Sequence, residues 1–161
     1  MYDAIIVDLG FVLRNYNLDY SSDLLPFRPN DLISFRELKQ KSNYLFLIAE
    51  YSIGLDENLA IDEIKRYQEQ IIAQVHATNG KIDDIYYNLA RPIDIESNYT
   101  IKLLDVIFNE YKHIDPEQSI YLGHLDQKFI PYAQDKIVVN TKANNLGFLK
   151  DLSFNAIAVR L

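Results

Sequence analysis

Cysteine and tryptophan are absent from the 161-residue chain, and methionine occurs once. Without a thiol there is no disulfide, no thiolate zinc site, no iron–sulfur ligation and no cysteine nucleophile. Glycine and proline number five each, too few for a collagen-like or Gly/Pro-rich disordered chain. Basic residues are the minority: Lys+Arg 16 against Asp+Glu 23, a formal charge of -7. That balance argues against nucleic acid and against anionic membrane surfaces, which are bound through clustered Lys and Arg. No stretch reaches the ~18 apolar residues of a membrane span. The opening Met1-Tyr2-Asp3-Ala4 is not a basic leader before an apolar run, so no secretory signal is expected and the expected compartment is the cytoplasm.

What is present suits one folded domain over residues 1–161. The chain is 48% hydrophobic and 24% charged, and a chain of this length buries roughly two-thirds of its unfolded surface. There is no internal repeat, linker or low-complexity tract. Short apolar runs alternate with amphipathic segments. Ala4-Ile5-Ile6-Val7 is β-branched and continuously apolar, the pattern of a strand buried on both faces. Strands are likewise expected over 44–48, 82–87, 119–122, 137–139 and 156–159. Helices are expected from Pro29, over 59–78, over 99–111 and over 143–152, and a loop over 13–27. Asn79-Gly80 is the stop signal of the long helix, with Gly80 as the left-handed cap. Asp115-Pro116 breaks the next. Alternating strands and helices predict an α/β fold with a mostly parallel sheet.

In such sheets ligands bind outside the carboxyl ends of the strands. The residues there are Asp8 to Gly10, Ala49 to Ser52, Asn88 to Arg91 and His124 to Lys128. Asp8 could be a nucleophile, a metal ligand or a cap for the next turn. Ser52 could donate to a phosphate oxygen or serve as a turn residue. His124 could be a base, a metal ligand or neither. His76 and His113 fall late in expected helices, where the dipole favours a cation. There is no Gly-rich phosphate loop, paired-His metal motif or nucleophile elbow. Most of the 12 tyrosines fall on helix faces or in strands, as core and rim rather than as a base-stacking platform.

Four pieces in order carry a family resemblance. They are Ile5-Ile6-Val7-Asp8-Leu9-Gly10, Phe35-Arg36-Glu37-Leu38-Lys39, Asp84-Ile85-Tyr86-Tyr87 followed by Pro92, and Tyr121-Leu122-Gly123-His124. In these the chain resembles the haloacid dehalogenase superfamily of phosphatases, and within it the compact capless branch that includes histidinol-phosphate and heptose-bisphosphate phosphatases. The resemblance spans nearly the whole chain and implies a Rossmann-like three-layer fold without a cap domain. It also implies a site. In the family an Asp after the first strand attacks phosphorus, a second Asp two residues later is the acid/base, a hydroxyl and a Lys hold the phosphoryl oxygens, and later acids hold Mg²⁺. Here Asp8 matches the nucleophile and Gly10 stands at the acid/base. Ala49 stands at the hydroxyl, with Ser52 three residues on. The lysine position falls near Ser97, with Lys102 beyond it. His124 replaces a metal-binding Asp, and Lys128 replaces a further acid, leaving Asp126 as the nearest carboxylate. Close relatives often carry a Cys-rich zinc loop where this chain has residues 88–97 and no cysteine.

Losing a general acid costs ~10²–10⁴ in rate, and losing a metal and a cationic clamp removes several kcal/mol more. Phosphoryl transfer rests on positioning and electrostatics, so a site lacking all of these is expected to be nearly silent. The leading expectation is a binding or regulatory pseudoenzyme. Asp8 is then a vestigial nucleophile, the cofactor none, and the partner a small phosphorylated metabolite or a protein. Lys128 is then either a solvated residue at a helix start or takes the place of the metal beside Asp8. The alternative is a slow phosphomonoesterase acting on a small phosphorylated sugar. Asp8 would attack, His124 would substitute as acid/base, Ser52 and Lys102 would hold phosphate, and Asp8 and Asp126 would hold Mg²⁺. A third reading is a structural or assembly protein, marked by a large exposed apolar patch.

Overall fold

The computed structural model describes residues 1–9, 29–52, 57–90, 99–124, 135–138 and 156–160. In chain order these form β1 (Tyr2–Asp8), α1 (Pro29–Lys41), β2 (Ser42–Ser52), α2 (Glu57–Ala77), β3 (Asp84–Ala90) and α3 (Tyr99–Glu110). A 3-10 turn (Pro116–Gln118) follows, then β4 (Ile120–His124), β5 (Asp135–Val138) and β6 (Ala156–Arg160). The expected loop over 13–27 and helix over 143–152 lie outside the described residues.

The strands form one sheet in the order β3-β2-β1-β4-β6-β5. β1 pairs in parallel with β2 and β4, and β2 with β3. β6 runs antiparallel to both of its neighbours, β4 and β5. The sheet is therefore parallel except at β6. Alternation along the strands divides the core into two layers. On one face Ile5, Val7, Leu45, Leu47 and Leu122 pack with Leu32, Phe35 and Leu38 of α1 and Ile64, Tyr67, Ile71 and Val75 of α2. On the other, Ala4, Ile6, Phe46, Ile48 and Tyr121 pack with Leu103, Leu104 and Ile107 of α3. Burial on both faces is why β1 and β2 read as continuous apolar runs. The architecture is α/β and Rossmann-like, with helices on both sides of the sheet.

Several boundaries differ from expectation for local reasons. β2 begins at Ser42, directly after the last residue of α1, because buried Ser42 donates its hydroxyl to the Leu38 carbonyl (3.1 Å) and closes the helix end. β3 begins at Asp84 rather than Ile82. Asp83 is used as a staple: its amide donates to the Leu45 carbonyl (2.8 Å) and its carboxylate accepts from the Leu45 amide (2.8 Å). The left-handed residue at the end of α2 is Asn79, with φ 60°, not Gly80. The Gly80 amide donates to the Val75 carbonyl (3.1 Å) and the Asn79 amide to the His76 carbonyl (3.0 Å), the two bonds of a Schellman motif. Gly80 is needed for space, since a Cβ there would sit 2.8 Å from Val75 Cγ1. His113 is not helical: α3 ends at Glu110, and His113 Nε2 lies 3.0 Å from the Tyr44 hydroxyl. Asp115 does not only break the helix but caps the 3-10 turn, accepting from the Glu117 amide at 2.9 Å.

Candidate functional site

The chain lays β2 and β3 on one side of β1, then returns across the opposite face to place β4 on its other side. The order reverses between β1 and β4, and in open α/β sheets the ligand crevice lies outside the carboxyl ends of the strands at such a point. Asp8 is the last residue of β1. Its register partner in β2 is Ile48, and toward β4 the pairing of Val7 with Leu122 brings it level with Gly123. Asp8 and Gly123 thus flank the crevice.

Asp8 is 0% exposed. A buried carboxylate costs several kcal/mol unless it is hydrogen-bonded. The Tyr121 hydroxyl donates to Asp8 Oδ2 at 3.1 Å. A bond of this kind, to a charged acceptor, is worth about 1.5–3 kcal/mol. Tyr121 starts two residues short of the strand-end level and is itself 0% exposed. Its ring reaches Asp8 by lying along the strand over Gly123. A Cβ on Gly123 would stand 2.0 Å from the Tyr121 hydroxyl oxygen, 2.3 Å from Cζ and 2.5 Å from Cε1. The missing Cβ is therefore the space the ring occupies.

The other described candidate residues fall at the following places. Ala49, one residue beyond Ile48, is buried in the layer under α1 and α2, so the family's hydroxyl position holds a core methyl on the opposite face from Asp8. Ser52 ends β2, four residues beyond Ile48, about 13 Å along the strand at 3.3 Å per residue. Lys102 is exposed on α3, beside Leu103 and Leu104, which face the sheet. His124 ends β4 and pairs with Ala156 of β6. Gly10, Asp126 and Lys128 lie outside the described residues. Among the described residues no group of three or more His, Asp or Glu is placed to hold a metal ion. No helix among them is long and apolar enough to cross a membrane.

Two further polar groups frame the sheet. Near its carboxyl end, exposed Glu50 accepts from Asn88 Nδ2 at 3.4 Å. That puts a carboxylate, not a cation, two residues beyond Ile48. At the opposite end Asp83 binds Lys39 Nζ (2.7 Å) and Lys81 Nζ (2.9 Å). Burial alone would raise the Asp83 pKa, but the hydrogen bonds from Lys39, the Leu45 amide and Lys81 outweigh it and hold the group below the usual carboxylate range. This cluster ties α1 and β2 to the start of β3. Tyr121 is the site residue that sequence reasoning misses. Its signal is the pattern Tyr-x-Gly at a strand end, which sets a long polar-tipped side chain and an empty position on the same face.

No family model matches the chain, and no curated protein matches it. Among solved structures it is similar to the D,D-heptose 1.7-bisphosphate phosphatase from B. bronchiseptica complexed with magnesium and phosphate. The TM-score is 0.46 and the identity 16%, over 68% of this chain and 64% of that one. The likeness covers less than two-thirds of that protein's length. It assigns no role to any residue here, and the α/β architecture is taken from the sheet order and the two core layers.

Proposed function

We propose that this chain is a haloacid dehalogenase-like protein whose phosphatase site is closed, and that it works as a binding or regulatory protein rather than as a hydrolase. The motif order from Ile5 to His124 supports the family, as does an Asp at the carboxyl end of the central parallel strand. One observation supports a loss of activity: Asp8 has no exposed surface and one of its oxygens is engaged by Tyr121. A nucleophile must present an oxygen to phosphorus at roughly 3–3.5 Å, and Asp8 has no surface open to solvent from which to do so. The chemistry around it points the same way. Gly10 has no proton to transfer, Ala49 has no hydroxyl, and Glu50, two residues beyond Ile48, adds a like charge near the carboxyl end of the sheet.

The test is hydrolysis of p-nitrophenyl phosphate and of a panel of sugar phosphates by the full chain with Mg²⁺. Phosphate release is expected at the rate of the Asp8→Asn variant and of buffer. Turnover well above both, lost in Asp8→Asn, overturns the reading and establishes a phosphomonoesterase acting through Asp8.

A further inference from the structure

We propose that Asn79-Gly80 is a site of covalent self-modification: the Asn79 carboxamide closes on the Gly80 backbone nitrogen, ammonia leaves, and residue 79 becomes aspartate or isoaspartate. The site lies where α2 turns into the start of β3, whereas Asp8 lies at the carboxyl end of β1. The inference is therefore independent of the proposed function.

Three observations converge. The sequence holds a single Asn-Gly pair, and a glycine has no Cβ to shield its nitrogen from the preceding side chain. Asn79 is exposed, and among the described residues nothing bonds its carboxamide. The Gly80 nitrogen is held loosely. Its proton points at the Val75 carbonyl (3.1 Å), but that oxygen also accepts from the Thr78 amide (3.1 Å) and the Thr78 hydroxyl (2.8 Å). A carbonyl oxygen has two lone pairs, so three donors share them. Packing opposes the attack. A Cβ on Gly80 would meet Val75 Cγ1 at 2.8 Å and the Arg36 nitrogen at 3.6 Å, so Gly80 is wedged between α2 and α1. Ring closure turns the Gly80 nitrogen toward the Asn79 Cγ, away from Val75, and takes Asn79 out of its left-handed conformation (φ 60°). The reaction thus waits for the last turn of α2 to open, a local event at a helix end rather than the unfolding of the chain.

The step needs no co-reactant but water. The Gly80 nitrogen bonds to Asn79 Cγ, the Cγ–Nδ2 bond breaks, and the proton from Gly80 leaves through solvent with the departing ammonia. Water then opens the five-membered imide. Breaking its bond from nitrogen to Cγ gives aspartate, and breaking its bond to the main-chain carbonyl gives isoaspartate. Aspartate tolerates the left-handed backbone but sets a negative charge at the end of α2, which the helix dipole opposes. Isoaspartate inserts a methylene into the main chain before Gly80. The Gly80 bond to Val75 and the Asp83 staple on Leu45 then have to be joined by a longer connection, which loosens the passage from α2 to β3.

The experiment follows the amide-to-acid change by mass spectrometry. The full chain is held in mildly alkaline buffer at physiological temperature, native and in urea, and sampled over weeks. The tryptic peptide 67–81 carries Asn79 as its one asparagine. Native chain is expected to convert at least about tenfold more slowly than unfolded chain, as for a group reached through local opening, and ahead of every other asparagine. Below the unfolding transition the native rate should be nearly flat in urea, because opening one turn exposes little surface. Native conversion at the unfolded rate overturns the inference. So does a rate that climbs from the first urea with the slope of global unfolding, or another asparagine converting first. Both products are expected, with isoaspartate detected by an isoaspartyl methyltransferase; aspartate alone would mean direct hydrolysis and overturns the ring closure. Asn79→Gln should abolish the acidic product in peptide 67–81, and its persistence there overturns the assignment. Val75→Ala, which removes the methyl that wedges Gly80, should speed native conversion about threefold or more, and an unchanged rate overturns the gate. If circular dichroism shows that Val75→Ala does not fold, hydrogen exchange in the wild type replaces it. The Gly80 amide should then exchange at least about tenfold faster than the Ile71 amide in the middle of α2, and equal protection overturns the gate.

Discussion

Gly123→Ala puts the packing of the site to the most direct test. The added Cβ would lie 2.0 Å from the Tyr121 hydroxyl oxygen and 2.3 Å from Cζ, where nonbonded carbon atoms sit roughly 3.5–4.0 Å apart. The ring must give way by more than an ångström, and it is fully buried, so it cannot do so into open water. Overpacking of this kind costs about 1–3 kcal/mol. Displacing the hydroxyl from Asp8 forfeits about 1.5–3 kcal/mol more, and alanine's better strand entropy returns roughly 0.5–1 kcal/mol. The net loss is about 2–5 kcal/mol, a large part of the 5–15 kcal/mol typical of a folded domain. Urea denaturation followed by circular dichroism measures it, as a lower midpoint at unchanged slope. Combining Gly123→Ala with Tyr121→Leu should recover part of the loss, since the shorter side chain vacates the space. The two changes should then fail to add by about 1 kcal/mol or more. A Gly123→Ala protein within about 0.5 kcal/mol of wild type, the spread of an ordinary surface change, would refute the placement of the ring. Strict additivity with Tyr121→Leu would refute it as well.

Asp83→Ala should cost about 1–3 kcal/mol, because it strips a hydrogen bond from the Leu45 amide and leaves half-buried Lys39 without its carboxylate. Lys81→Ala should cost under about 0.5 kcal/mol, since that side chain is 60% exposed. The folded-state pKa of Asp83 is depressed, so its contribution is present above the unfolded carboxylate value of about 3.9 and is lost as pH falls through the lower folded value. The stability gap between wild type and Asp83→Asn should be flat near neutrality and close below about pH 4; a gap that widens on acidification would show the sign to be wrong. Asn79→Ala should lose about 1–2 kcal/mol, the left-handed penalty for a side chain that makes no local hydrogen bond. Thermal melts that leave Asn79→Ala unchanged would reject the Schellman stop.

The parts of the fold legible in the sequence are those set by burial on two faces. Ala4 to Val7 and Leu45 to Ile48 are fully buried, and a doubly buried strand must be apolar at every position, so its run is visible without partners. α2 was legible for the complementary reason: one face is buried, and Ile64, Tyr67, Ile71 and Val75 mark it at helical spacing. Strand direction left no such trace. Ala156 to Val159 reads like any other short strand, and its antiparallel pairing with β4 and β5 depends on where the preceding chain travels. The end of α2 shows a different limit. In Asn79-Gly80 either residue tolerates the left-handed conformation, and the choice of Asn79 is set by the approach of Val75 to Gly80, a contact between residues five apart that the dipeptide does not reveal.

The site was legible in its anchor and hidden in its partner. Asp8 is conspicuous because a carboxylate after an apolar strand has few reasons to be there. Tyr121 is inconspicuous because it lies within the Ile120–Leu122 run and contributes to the same core layer as Ile6 and Phe46. Its role comes from its length. A leucine at 121 would fill the layer but fall short of the strand end, whereas a tyrosine reaches over one empty residue and ends in a donor. A buried carboxylate needs donors to offset its desolvation, and the Tyr121 hydroxyl is one of them. Asp8, Tyr121 and Gly123 are thus packed as one unit: without the glycine the ring does not fit, and without the ring Asp8 loses the hydroxyl bond at 3.1 Å. The length of Tyr121 and the bareness of Gly123 together account for a hydroxyl placed at the end of the central strand, where Asp8 accepts from it.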